Sequence, residues 1–245
     1  MGSSPNGGER RPNSCTFERE TSTFSAILKA GRRVMSLTFE GEGPLARLEG
    51  ACITREQFLL REMRIACQLH MDGLSDEEVI AQITGQNLIQ YPTERMVNNI
   101  ARVCVKRINA VDSERIVQII ATGTPEAAAQ ANLYAMMCTY PLVRDFMVSE
   151  VGRRYAEYDY TLGQMEMNAY MTRLPAEYEN IAKVSDGTVG KIKQVLRKGL
   201  VECGMLASAR SEELTPIFLD FDVREAIENK NDVAALVAFG VREAI

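Results

Sequence analysis

Two consecutive helix patterns, separated by a polar turn, constrain the fold of this chain most strongly. They occupy residues 73–108, GLSDEEVIAQITGQNLIQYPTERMVNNIARVCVKRI. The first begins at Ser75, which forms a capping box with Glu78 three residues later. The second begins after Pro92 and runs to about Asn109. Each helix is apolar on one side only, so both must pack against further elements, and the segment predicts a helical domain.

Further helix start signals extend this prediction on both sides. Thr54 and Gln57 have the spacing of another capping box, which predicts a helix running to about Asp72. Thr124 followed by Pro125 is a strong start signal for the helix EAAAQANLYAMMCTY. This helix is rich in Ala and Met and apolar on most sides. We therefore expect it to be the buried centre of the domain.

The C-terminal half predicts helices followed by a pair of short strands. Two helices are predicted over roughly Leu142–Tyr158 and Leu162–Arg173. Ser185 then begins a longer helix, with Gly204 as its stop signal. After it, the segments Met205–Ala209 and Leu214–Leu219 are predicted to pair as strands. A helix followed by paired strands is the order found in a winged helix.

The N-terminal residues predict an extension of the helical body. Residues 1–14 are Gly-, Ser- and Pro-rich, and their composition favours disorder. The alternating run FSAILKAGRRVMSLTF predicts a β-hairpin, which is marginal alone and so must lie on the body or on a second copy in a homodimer. The expected division is a hairpin extension (1–50), a helical body (51–180), a winged-helix-like part (181–230) and a helical tail (231–245).

Bulk composition excludes several classes of protein. A net charge of −5 and a pI of about 5.2 argue against a protein that coats nucleic acid over its whole surface, although a local basic patch is compatible with them. No apolar run approaches the roughly 18 residues of a membrane span. The first residues contain no signal-peptide pattern. Six scattered cysteines without a C-x-x-C pair indicate reduced thiols. These features predict a cytoplasmic protein without a membrane partner.

Enzyme signatures are mostly absent from the sequence. Cys67 and His70 lie one helical turn apart, but no second pair at metal-ligand spacing accompanies them. The string GTVGK, which ends at Lys191, lacks the spacing of a phosphate-binding loop. We therefore predict a non-enzymatic protein with no catalytic residue, no metal and no cofactor.

Two helices carry the candidate nucleic-acid-binding residues. In the helix after Pro92, the side opposite the apolar stripe carries Arg95, Asn98, Asn99, Arg102 and Lys106. In the helix after Ser185, the outer side carries Lys191, Lys193, Arg197 and Lys198. Arg and Asn can pair with base edges, and Lys suits phosphate. For the first helix, the alternative to nucleic-acid binding is that its polar side is an ordinary solvated face. For the second, the alternative is that its basic side chains pair with the acidic tail of the same chain.

The order of these segments resembles the BrxA family of BREX phage-defence systems. The similar stretches are FLLREMRIACQLHMDGLSDEEV, the turn NLIQ, IIATGTPEAAAQANLYAMMCTYPLVRDFMVSEVGRRY, ECGML and LTPIFLDFDVREAI, which together run from Phe58 to about Lys230. The resemblance implies a body similar to the transcription antitermination factor NusB, with helix-turn-helix or winged-helix features. It also implies binding to double-stranded DNA, beside a methyltransferase, a phosphatase-like protein, an ATPase and a Lon-like protease.

The sequence therefore predicts a double-stranded-DNA-binding accessory protein of a phage-defence system. Two alternatives remain open at this point. One is an assembly adaptor that uses the same surfaces to hold partner proteins. The other is an RNA-binding protein that resembles an antitermination factor.

Overall fold

The computed structural model describes residues 52–177 and 184–241. Across these two ranges the protein is built from packed helices, and no β-pairing extends beyond an isolated bridge. The predicted mostly α helical bundle is confirmed. The predicted N-terminal hairpin lies outside the described residues. The predicted division into body, winged part and tail stays a prediction.

The helices follow one another with short connections. After a 3₁₀ turn at Cys52–Thr54, the first five are α1 (Leu60–Met71), α2 (Asp76–Gln86), α3 (Glu94–Val111), α4 (Glu114–Thr122) and α5 (Pro125–Thr139). The next three are α6 (Pro141–Phe146), which continues as a π-helical turn (Met147–Gly152), α7 (Arg153–Glu157) and α8 (Gln164–Glu177). The last three are α9 (Asp186–Glu202), α10 (Phe221–Asn229) and α11 (Val233–Ala238).

Helix α5 lies at the centre of the bundle, as its composition predicts. Its residues from Ala127 to Met137 are all buried. A single cluster of buried apolar side chains extends from Ile53 to Phe239, so α9 and the C-terminal helices share one core with α5. No helix within the described ranges is long and apolar enough to cross a membrane.

Three of the predicted helix starts are confirmed in their hydrogen bonding. At α2, the Ser75 amide donates to the Glu78 carboxylate at 2.8 Å, and the Ser75 hydroxyl accepts from the Glu78 amide at 3.4 Å. The Ser75 amide and hydroxyl both donate to the Glu78 carboxylate, and these two hydrogen bonds lower the pKa of the Glu78 carboxyl. Thr93 caps α3 and Thr124 caps α5 in the same manner, each accepting from a backbone amide three residues on.

The predicted start of the first helix at Thr54 is wrong. Helix α1 begins at Leu60, and Leu59 adopts a left-handed conformation (φ 51°) without a side-chain cap. The physical reason is a long-range contact, because the guanidinium of Arg107 binds the carbonyl groups of residues 56–58. Those carbonyls accept from Arg107 instead of from amides one helical turn further on, so the helix starts after them.

The helix predicted over Leu142–Tyr158 contains a π-helical turn. Gly152 ends this turn and lies against the backbone of α11, where a Cβ at position 152 would come within 3.1 Å of the Ala238 Cα. Such turns are rare insertions in α-helices. Here the turn directs the carboxylate of Glu150 inwards, 3.1 Å from Arg173 and 3.6 Å from both Arg153 and Arg154.

The predicted strands Met205–Ala209 and Leu214–Leu219 meet in a single antiparallel bridge, between Leu206 and Leu214. No ladder forms because the second segment divides its backbone pairing between two neighbours. The Leu214 amide donates to the Tyr160 carbonyl at 2.7 Å, whereas the Thr215 amide donates to the Met205 carbonyl at 2.9 Å. The region after α9 is therefore a bridged loop, and the winged-helix relationship stays a prediction.

Candidate nucleic-acid interface

Helix α3 presents a polar stripe opposite its buried face. Its apolar residues, among them Val97, Ala101 and Cys104, are buried in the core. Arg95, Asn99 and Arg102 are exposed, and their spacing places them on one line along the helix. The stripe from Arg95 to Lys106 spans about 16 Å at 1.5 Å per residue.

The cations of this stripe differ in what they contact within the protein. The Arg102 Nε donates to the Asn98 Oδ1 at 2.8 Å, which is a bond to a neutral partner. In the part of the chain that the structure describes, Arg95 and Arg102 form no ion pair. The Lys106 Nζ lies 3.5 Å from a carboxylate oxygen of Glu56 and 4.9 Å from the centre of the Tyr140 ring. Arg95 and Arg102 are thus the exposed cations of α3 that have no carboxylate partner within the described ranges.

On α9, two of the four predicted cations are occupied by contacts within the protein. The Lys193 Nζ donates to the Asn168 Oδ1 at 2.8 Å. Arg197 donates to the carbonyls of Ala209 (2.9 Å), Leu162 (2.8 Å) and Ser211. Partial burial lowers the pKa of its guanidinium. Arg197 therefore fixes the bridged loop after α9.

The other two cations of α9, Lys191 and Lys198, are exposed. Neither forms an ion pair with any residue of the described ranges. They lie seven residues apart, which places them two turns apart on the same side of the helix. These two lysines, unlike Lys193 and Arg197, make no side-chain hydrogen bond within the described ranges, so their ammonium groups are the ones most available to a ligand.

Replacement of Arg197 tests its structural role. We expect Arg197→Met to lower the free energy of unfolding by about 1–2 kcal/mol, because three carbonyl oxygens lose their donor while parts of the loop stay exposed to water. Urea unfolding followed by circular dichroism measures the change. Lys198→Met, one position further along α9, is the matched control and should change stability by less than about 0.5 kcal/mol. Equal effects of the two substitutions would contradict the assignment.

A cleft of about 700 Å³ lies where α9 approaches the start of α1. Its walls are formed by residues 57–62 with Arg64 and Ile65, by Tyr91 before α3, and by Lys198 and Glu202 of α9. Because Lys106 pairs with Glu56 and Lys198 lines the cleft beside Gln57, both basic helices adjoin the same segment.

Arg61 and Arg64 in this cleft were not among the residues predicted from the sequence. Arg61 is exposed, and Arg64 donates to the Gly123 carbonyl at 2.9 Å. Their signal was present in the helix periodicity of LLREMR, where the two arginines lie three residues apart on the outer side of α1. Arg61 thus adds an exposed cation to the cleft that Lys198 of α9 also lines.

The fully buried Arg107 holds the chain segment 56–58, which borders the cleft, in place. Its guanidinium donates to the carbonyls of Phe58 (3.0 Å), Glu56 (2.5 Å) and Gln57 (2.5 Å), and its Nε donates to the Tyr140 hydroxyl at 3.2 Å. The Tyr140 hydroxyl in turn donates to the Glu56 carboxylate at 2.5 Å, and burial raises the pKa of Tyr140. This network fixes the segment that borders the cleft.

Among the described residues, the buried thiols of Cys67 and Cys104 and the single histidine show no features of a reactive site. Burial raises the pKa of the Cys104 thiol to about 12, and that of Cys67 is raised as well. The Nε2 of His70 lies 3.5 Å from Glu114. Among the described residues, no three His, Cys, Asp or Glu side chains are placed to hold a metal ion. Neutral, buried thiols are inert as nucleophiles and ligands.

The comparisons with known proteins decide the family. The BrxA family model matches residues 50–231, which include α3, α9 and every residue that lines the cleft. The chain belongs to the BrxA family. The match covers most of the chain and begins close to the first described residue.

Two curated BrxA relatives are similar over most of this chain. The BREX protein BrxA of Escherichia coli O9:H4 (strain HS) is 24% identical over 159 residues, which is 65% of this chain and 74% of the relative. The BREX protein BrxA of Bacillus cereus (strain H3081.97) is 26% identical over 181 residues, 74% of this chain and 90% of the relative.

A solved structure shares the fold. The crystal structure of an uncharacterized protein from Magnetospirillum magneticum matches with a TM-score of 0.68 at 18% identity, and the match covers 81% of this chain and all of that chain. At this identity the likeness concerns the fold alone.

Proposed function

We propose that this BrxA-family protein is a non-enzymatic, double-stranded-DNA-binding accessory protein of a BREX phage-defence system. The BREX assignment rests on family membership and on the two curated BREX relatives. Family membership also points to other BREX proteins as its partners, and the methyltransferase, phosphatase-like protein and ATPase are the candidates. We propose the cytoplasm as its location, because that is where an accessory protein of this kind would meet bacterial DNA.

The observation that carries the DNA proposal is the exposed stripe of α3, where Arg95 and Arg102 form no ion pair in the described part of the chain. A helix fits the major groove of B-DNA, and a stripe of about 16 Å has the length of roughly five base-pair steps along the duplex axis. Asn98 and Asn99 lie beside these arginines and have the amide groups that recognise adenine.

A second basic surface supports the same proposal. Arg61, Lys191 and Lys198 are exposed cations on α1 and α9, and Arg61 and Lys198 line one cleft. Because the cleft adjoins the segment that contacts Lys106 of α3, the two surfaces can engage one duplex. Phosphate contacts of this kind supply affinity without reading sequence. We therefore expect binding that depends strongly on salt and weakly on base sequence.

A matched pair of single substitutions tests this assignment. Arg102→Gln removes a cation of the stripe, and Arg115→Gln removes an equally exposed cation that pairs with Asp222 on α10. Both lower the net charge by the same amount. We expect only Arg102→Gln to weaken duplex binding, by several-fold at low salt, and to reduce the salt slope by about 1. An equal loss of duplex affinity in both variants would show that only the net charge matters, and it would contradict the assignment of the α3 stripe as the DNA-binding surface.

A further inference from the structure

The segment between the bridged loop and α10 exposes two aromatic side chains. Phe218 is 90% exposed and Phe221 is 72% exposed, although Leu219 between them is buried. Their sequence, IFLDFD, belongs to none of the basic surfaces described above. Two strongly exposed aromatic side chains within four residues are a feature of sites where another molecule is bound.

The backbone that carries these two residues is held rigidly. Buried Gln130 of α5 uses both ends of its amide group, because its Nε2 donates to the Phe218 carbonyl at 3.0 Å and its Oε1 accepts from the Asp220 amide at 2.9 Å. Asp220 then caps α10 through the amides of Asp222 and Val223. The two phenyl rings are therefore presented outwards from a fixed support, which limits the entropy lost on binding.

Acidic side chains lie on α10 and α5, the helices next to the aromatic patch, which consists of Phe218 and Phe221. Glu225 lies one turn after Phe221 on the same side of α10, and Glu126 lies one turn before Gln130 on α5. Both are exposed, and neither forms an ion pair with a described residue. Asp222 is compensated by Arg115 at 2.8 Å. The rim of the patch is therefore net negative.

We propose that the aromatic patch docks a basic, amphipathic segment of a partner polypeptide. Apolar side chains of the partner would cover the two phenyl rings, while its Lys or Arg side chains would meet Glu126 and Glu225. The negative rim repels phosphate, so this surface does not take DNA. A two-fold contact between copies of this chain would place one acidic rim against the other, which disfavours self-association. The inference goes beyond DNA binding and does not depend on it.

The test uses the full-length protein and a labelled amphipathic helical peptide of Leu and Lys, about 18 residues long. Fluorescence anisotropy measures its binding, and the same peptide with Glu in place of Lys is the charge control. We expect the Lys peptide to bind and the Glu peptide not to bind. Phe218→Ser/Phe221→Ser should weaken binding at least tenfold, and Glu126→Gln/Glu225→Gln should weaken it several-fold. Met165→Ser replaces an equally exposed apolar side chain on α8 and should leave binding unchanged.

Three results would overturn the proposal. These are equal binding of the Lys and Glu peptides, unchanged Lys-peptide binding by the Phe218→Ser/Phe221→Ser variant, and a dimer that this variant converts to a monomer in sedimentation velocity. The last result would identify a second copy as the occupant. Both phenylalanines are exposed, so the variant should keep its helical circular dichroism spectrum and its affinity for duplex DNA. Loss of peptide binding can thus be distinguished from failure of the DNA proposal.

Discussion

Arg107→Met should lower the free energy of unfolding by about 2–4 kcal/mol. Methionine retains much of the side-chain volume but cannot donate a hydrogen bond. The partly buried carbonyls of Glu56 and Gln57 and the buried Tyr140 hydroxyl would each lose a donor. The Phe58 carbonyl would keep its second donor, the Asn132 amide at 2.6 Å. Burying an unpaired carbonyl costs about 1–3 kcal/mol. Methionine carries no charge, so the variant no longer bears the desolvation cost of a buried cation, and this gain offsets part of the loss.

The adjacent residue provides the control for this measurement. Lys106 contacts the same Glu56 carboxylate and the same Tyr140 ring, but its side chain is 45% exposed. Lys106→Met should therefore cost less than about 1 kcal/mol, as exposed ion pairs generally do. Urea unfolding of both variants, followed by circular dichroism, gives the comparison. An Arg107→Met protein within about 1 kcal/mol of the wild type would contradict the structural role given to Arg107.

Local signals in the sequence account for the parts of the fold that were predicted correctly. The starts of α2, α3 and α5 depend on Ser75, Thr93 and Thr124, each of which caps amides within three residues of itself. Interactions of such short range can be inferred from spacing alone. The burial of α5 also followed from its composition, because an Ala- and Met-rich helix has no polar side to expose.

Long-range contacts account for the parts that could not be predicted. Helix α1 begins at Leu60 because Arg107, about fifty residues away, binds the carbonyls before it, and Thr54 gives no sign of this. Arg197 and Lys198 both fall on the outer side of α9 by helical spacing, but the Arg197 guanidinium lies against carbonyls of two other segments. Helical periodicity distinguishes inner from outer faces, whereas only the fold determines which outer cation meets a neighbouring loop.

Charge reversal of four exposed cations should have the largest effect on DNA binding. The variant carries Glu in place of Arg95, Arg102, Lys191 and Lys198. We expect its affinity for duplex DNA at low salt to fall by on the order of a hundredfold or more, since phosphate attraction is replaced by repulsion. The quadruple variant with Gln at the same four positions should have an affinity for duplex DNA between those of the charge-reversal variant and the wild type. All four positions are exposed, so the unfolding transition should be little changed.

The central claim is that these cations bind the phosphates of duplex DNA, and the salt dependence of binding tests it most directly. The measurement is the observed binding constant of the wild-type protein and the charge-reversal variant, obtained from mobility shifts of a duplex over a salt series. The account predicts that the logarithm of the wild-type constant falls linearly with the logarithm of salt concentration, with a slope of about −0.9 per phosphate contacted, and that the variant's slope is flatter. Absence of a wild-type shift at low salt, preference for single-stranded RNA, or equal slopes for the two proteins would contradict it.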